Sequence, residues 1–283
     1  MKKLIVRSKL MFTGIGFWIS MLAVTLLCCA NTAYWAFLNR GLDVTQTVTA
    51  PAAFILVENG NAIISVFCML SVFLLLLPFT FSFCKDTSLN VTCCLQTRMT
   101  VRGYHYGNLL LSFIGSFLIF AIPMLVEIVM NHFLFEHQNV LDYSYNFQAV
   151  VSGDAVDEGV YSRALPFKRL YLNHTELYNV LYTVLFSLRA GLMGGFVYAL
   201  SYYCKDYPIL LLLPLFVIGQ IQDKLDAVSR ELFGTYIEMS MTEYVLVDGM
   251  RGQSLIYAAV MILLMVGITV LILERQCRKD QLA

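Results

Sequence analysis

The chain has 283 residues, 59% of them hydrophobic and only 13% charged, and its 19 basic and 19 acidic side chains cancel. A water-soluble domain carries about a quarter charged residues, so this composition excludes a soluble protein of the same length and fits a chain whose surface is covered by lipid. The neutral balance gives no reason to expect nucleic acid or any other strongly charged partner.

Crossing a bilayer core of about 30 Å takes about 20 mostly apolar residues in a helix. Six runs meet or approach this length, at about 10–37, 61–83, 108–135, 177–204, 207–221 and 255–273. They are apolar on all sides and lack the alternation of barrel strands. The fold class expected is therefore an all-α integral membrane protein, a single domain over 1–283 built as a bundle of about six transmembrane helices. The fifth run is short and contains Pro208 and Pro214, which leaves open whether it crosses fully.

The first run follows the basic segment Lys2, Lys3, Arg7 and Lys9. It is longer than the apolar core of a secretory signal, about 7–15 residues, and reads as an uncleaved anchor. Lys85, Arg98 and Arg102 lie between the second and third runs, Lys205 follows the fourth, and Arg275, Arg278 and Lys279 follow the sixth. Basic residues in short loops mark the cytosolic side, so both termini are expected there, in the cytoplasmic membrane. The first outer connection, about 38–60, is largely uncharged and rich in Thr. The third, about 136–176, is the longest and reads as a solvated cap. Ile221, Leu225, Val228 and Leu232 give an amphipathic helix for the outer headgroup layer. All eight cysteines fall within spans or on the cytosolic side, which argues against an external disulfide framework.

Between the second and third runs lies the polar island CKDTSLNVTCCLQTRMTVRGYHYGN. Asp86, Thr87 or Ser88 can cap a helix start. Val91, Leu95 and Met99 follow in four-residue steps, Arg98 and Arg102 share a face, and Gly103 can end the helix before the next span. Such a helix either lies on the inner leaflet with its arginines on lipid phosphates or docks in a groove of a soluble partner.

Within the spans, Glu127 and Arg189 are ionisable and therefore costly. Counting from the outer ends of their runs places them about five residues apart in depth, roughly 7–8 Å, within reach of a snorkelling arginine. They read as a buried ion pair or as a polar contact on a substrate path. Gly191, Gly194 and Gly195 form a small-residue face suited to close helix packing. Cys84, Cys93, Cys94 and His105 fit no zinc spacing, so no metal is expected. No nucleophile–base constellation points to an intramembrane enzyme.

From Leu76 to Leu125 the chain resembles the second span, coupling segment and third span of type-2 ABC transporter permeases, the exporter-type membrane subunits of bacteria. Pro78, Asp86, Arg98, Arg102 and Tyr104 occupy the like places. The resemblance implies a coupling helix formed by Asp86, Leu89, Val91, Leu95, Arg98, Met99 and Arg102. It also implies two copies of a separate ABC ATPase subunit and a second permease, identical or related. No GxxxxGK[ST] phosphate loop exists in this chain. The chain is therefore expected to bind no cofactor, with ATP and Mg on the partner, and to export a peptide-like or amphipathic substrate; the alternatives are a stand-alone secondary transporter or channel and a non-transporting membrane scaffold.

Overall fold

The computed structural model describes residues 12–41, 48–51, 53–56, 62–75, 100–135, 170, 174–203, 211 and 255–282. Among the described residues five helices carry the architecture: α1 Ile15–Leu38, α2 Ala62–Leu74, α3 Val101–Leu134, α4 Thr175–Leu200 and α5 Leu255–Leu282. The described residues contain no strand. Three of these helices, α1, α3 and α4, are long and apolar enough to cross a membrane, and this marks the chain as membrane-embedded.

The side chains are distributed for lipid. On α1, Phe17, Ser20, Val24, Cys28, Asn31, Thr32 and Trp35 recur every three or four residues and are buried. The other faces expose Ile15, Trp18, Leu22, Leu26 and Phe37. The polar Ser20, Asn31 and Thr32 thus point inward, while the outward faces carry large apolar groups. Water would penalise a continuous apolar surface of this kind, whereas hydrocarbon does not.

α3 and α4 form the most extensive interface, with α1 against α3, α5 against both α3 and α4, and α2 against α1. His105 meets Tyr202, Phe120 meets Phe186 and His132 meets Glu176, so α3 and α4 run antiparallel. Asn31 and Thr32 of α1 reach Glu127 and Asn131, four residues further along α3, so α1 and α3 run parallel. Glu274 near the end of α5 meets Arg102 and Tyr106 near the start of α3. Leu273 packs with Tyr198 and Tyr202 at the end of α4. α5 is therefore antiparallel to α3 and parallel to α4. The start of α1, the start of α3 and the ends of α4 and α5 share one end of the bundle, called below the Arg102 end. The opposite end holds His132 and Glu176.

Several expected boundaries move. The third helix starts at Val101, not 108, because Thr100 is its N-cap: extended at φ −63°, ψ 142°, its side chain accepts a hydrogen bond from Gly103 N. Gly103 therefore lies in the first turn of α3 and ends no preceding helix. Arg98, expected to share a helix face with Arg102, lies outside the described residues. α4 ends at Leu200, before the expected 204. α5 continues past 273 through its basic tail to Leu282. α2 is described only to Leu74, and of the expected fifth span only Leu211 is described. The expected amphipathic helix at 221–232, nearly all of the connection 136–176 and the segment 84–99 lie outside the described residues.

Candidate functional site: a polar seam and a polar clamp

Residues 48–51 and 53–56 of the first outer connection do not sit outside the bundle. Of these, Ala50, Ala53, Phe54, Ile55 and Leu56 are buried and belong to the bundle's own clusters. The backbone of a segment packed among apolar helices must find partners, and two of the span helices supply them. Asn31 of α1 donates to Ala53 O at 2.8 Å, and Asn179 of α4 donates to Pro51 O at 2.9 Å. At the rim, Asn39 Nδ2 donates to Val48 O, while Val48 N donates to Asn39 Oδ1. Asn31 lies seven residues before the end of α1, so the segment reaches about 10 Å into the bundle.

Glu127 of α3 sits at the base of this segment, 1% exposed. Its Oε1 accepts a hydrogen bond from Asn31 Nδ2 at 2.8 Å. The Cys28 thiol and the Ile55 backbone amide lie alongside the same carboxylate. One turn on, Thr32 Oγ1 donates to Asn131 Oδ1 at 2.8 Å. Asn31, Thr32, Glu127, Asn131 and Asn179 thus line a polar seam at the centre of the apolar bundle.

The expected partner of Glu127 is not there. The α3–α4 register places Glu127 level with residue 180 and Arg189 level with residue 118. The separation is about nine residues, roughly 14 Å at 1.5 Å per residue, beyond the reach of an arginine. The count from the ends of the apolar runs fails because those ends are not level: α3 projects about five residues past the start of the fourth run. The Glu127 carboxylate therefore turns to α1 and to 53–55 in place of Arg189.

The three glycines lie where α4 touches α3. A Cβ on Gly194 would sit 2.8 Å from Ser116 Cβ, and one on Gly191 would sit 2.9 Å from Phe113 O. On Gly195 it would meet Leu109 Cδ1 at 3.1 Å. This close approach supplies the van der Waals contact that holds helices together where lipid removes the hydrophobic drive. Phe67, Phe120 and Phe186 fill the space beside it, with ring centroids 5.4–6.1 Å apart.

At the Arg102 end, Tyr106 donates to Glu274 Oε1 at 2.9 Å, and Arg102 Nη2 approaches Glu274 Oε2 at 3.4 Å. His105 and Tyr202 are buried and hydrogen-bonded to each other beside Tyr104 and Tyr198. This polar clamp ties the first two turns of α3 to α4 and α5. Of the residues expected to couple to an ATPase, Arg102 is at this clamp, while Asp86, Leu89, Val91, Leu95, Arg98 and Met99 lie outside the described residues. Among the described residues no group of three or more His, Cys, Asp or Glu is placed to hold a metal.

Sequence reasoning missed Asn31, Asn179 and the inward fold of 48–56. Their signal was present: asparagines inside apolar runs, and a connection with no charge from Val44 to Val57.

No family model matches the chain, and neither a curated protein nor a solved structure matches it.

Proposed function

We propose that the chain is the membrane-spanning permease subunit of an exporter driven by ATP hydrolysed on a separate ABC ATPase subunit, moving a peptide-like or amphipathic substrate across the cytoplasmic membrane. The observation that carries this reading is the clamp at the Arg102 end. Thr100 seats the helix immediately after the expected coupling segment, and Arg102 and Tyr106 join that helix to α5 through Glu274. A displacement of the segment 84–99 would be delivered to α3 and passed to α4 and α5 as one body, as a lever acting between two states requires. The resemblance of residues 76–125 to type-2 ABC permeases supports the same reading.

The topology supports six spans. α4 and α5 run parallel, so the chain must return to the opposite end of the bundle between them, as a fifth span at 207–221 would do. The start of α1 and the end of α5 lie at the Arg102 end, in keeping with two cytosolic termini. The polar seam under 48–56 lies near the other end, where an exit would be closed.

Affinity purification of the full chain from its native membrane tests the proposal. An ATP-hydrolysing subunit is expected to co-purify and to be lost with Arg98→Glu. Recovery of the chain without any nucleotide-binding partner, or transport in vesicles free of nucleotide, would overturn it. The buried Glu127 favours a second reading, an ion-coupled transporter. That reading requires nucleotide-free transport abolished by Glu127→Gln.

A further inference from the structure

α3, α4 and α5 do not close on one another completely. They leave an apolar groove of about 370 Å³. Gly195 and Thr269 lie at its buried back, Tyr106, Leu109 and Phe113 along one wall, and Val266 on the other. The groove opens sideways: Val266 and Val270 are exposed, as is Leu110 of α3. Its missing wall is on the surface that faces hydrocarbon.

The length and the open side point to the occupant. From Tyr106 to Phe113 the groove runs seven residues, about 10 Å, its lining is apolar and its mouth faces lipid. A hydrocarbon chain suits such a slot. One leaflet is about 15 Å deep, so the groove holds about two thirds of the length of a lipid tail.

The groove ends at a charged rim. Arg102, one turn beyond Tyr106, keeps most of its side chain exposed despite its contact with Glu274. Arg275, Arg278 and Lys279 are exposed on the last turns of α5, with Arg278 four residues beyond Glu274. The four basic side chains outnumber the two acids of this stretch, Glu274 and Asp280. They stand where the head of a lipid would lie if its tail entered the groove.

We propose that the α3–α4–α5 groove is a binding site for one anionic phospholipid, its tail between Tyr106 and Phe113 and its phosphate among Arg102, Arg278 and Lys279. The site is independent of the energy source, because it needs only the described helices. A lipid there would fill the gap beside Gly195 and bridge α3 to α5 at the clamp.

Native mass spectrometry of the full chain, released from nanodiscs of phosphatidylglycerol or phosphatidylcholine, tests the proposal. One retained phosphatidylglycerol per chain is expected. Val266→Trp, which blocks the mouth, should remove it, while Leu271→Trp, at a position even more exposed to lipid but off the groove, should leave it. Arg102→Gln should weaken phosphatidylglycerol retention about fivefold, as expected for ~1 kcal/mol per basic residue, and leave phosphatidylcholine unchanged. Equal retention of both lipids, or retention undisturbed by Val266→Trp, overturns the proposal. A phosphatidylglycerol carrying a tail diazirine tests the unmodified chain: cross-links at 106–113 and 266–270 support the site, and cross-links confined to other surfaces refute it.

Discussion

Glu127 accepts a hydrogen bond from Asn31, and no arginine among the described residues pairs with it, which makes its contribution that of a hydrogen-bond acceptor. Glu127→Gln keeps an acceptor of the same shape and should change stability by less than about 0.5 kcal/mol, or raise it, because a buried charge is avoided. Glu127→Ala removes the acceptor and the packing, and should cost about 1–3 kcal/mol. Reversible unfolding in mixed micelles measures both. Since Arg189 lies nine residues away in depth, a double-mutant cycle between Glu127→Gln and Arg189→Gln should give a coupling under about 0.5 kcal/mol. A coupling above 1 kcal/mol would restore the ion pair that the register argues against.

α3 and α4 are held at a distance set by Ser112, Phe113 and Ser116 against the three glycines. Gly194→Ala should therefore cost about 1–3 kcal/mol through overpacking. Gly267→Ala on α5, where a Cβ meets nothing within 4 Å, should stabilise the helix by roughly 0.5–1 kcal/mol. Equal effects would mean that the α3–α4 contact is looser than drawn. The cap at Thr100 is separately measurable: Thr100→Ala should lose about 1 kcal/mol, seen as faster amide exchange in the first turn of α3. The existence of these helices was legible because about 20 apolar residues in lipid have no alternative to a helix. Their ends were not. Gly103 reads equally well as the end of one helix or the first turn of the next, and only the hydrogen bond it gives Thr100 decides between them. The inward fold of 48–56 was hidden for a different reason. It depends on asparagines from α1 and α4, 22 and 128 residues away in sequence, and no local pattern records such a meeting.

Across the molecule, the helix directions make a topology that labelling can test. In a cysteine-free background, Tyr203→Cys and Lys279→Cys should react with an impermeant maleimide from one side of the membrane and Phe133→Cys only from the other. Lys279→Cys and Phe133→Cys reacting from the same side would break the parallel pairing of α4 with α5. α3 carries a further consequence. Its 34 residues measure about 51 Å, against a hydrocarbon layer of about 30 Å. Absorbing that hydrophobic mismatch by tilt alone would demand about 54° from the bilayer normal, beyond the 0–40° that spanning helices adopt. Some of this helix must therefore stand clear of the oil, and its first five residues, VRGYH, carry the polar groups suited to the water side. Deeper in the same helix stands Pro123, whose missing N–H leaves one backbone bond unmade, so any displacement of the water-side end would reach the far face only through a point where the helix bends easily.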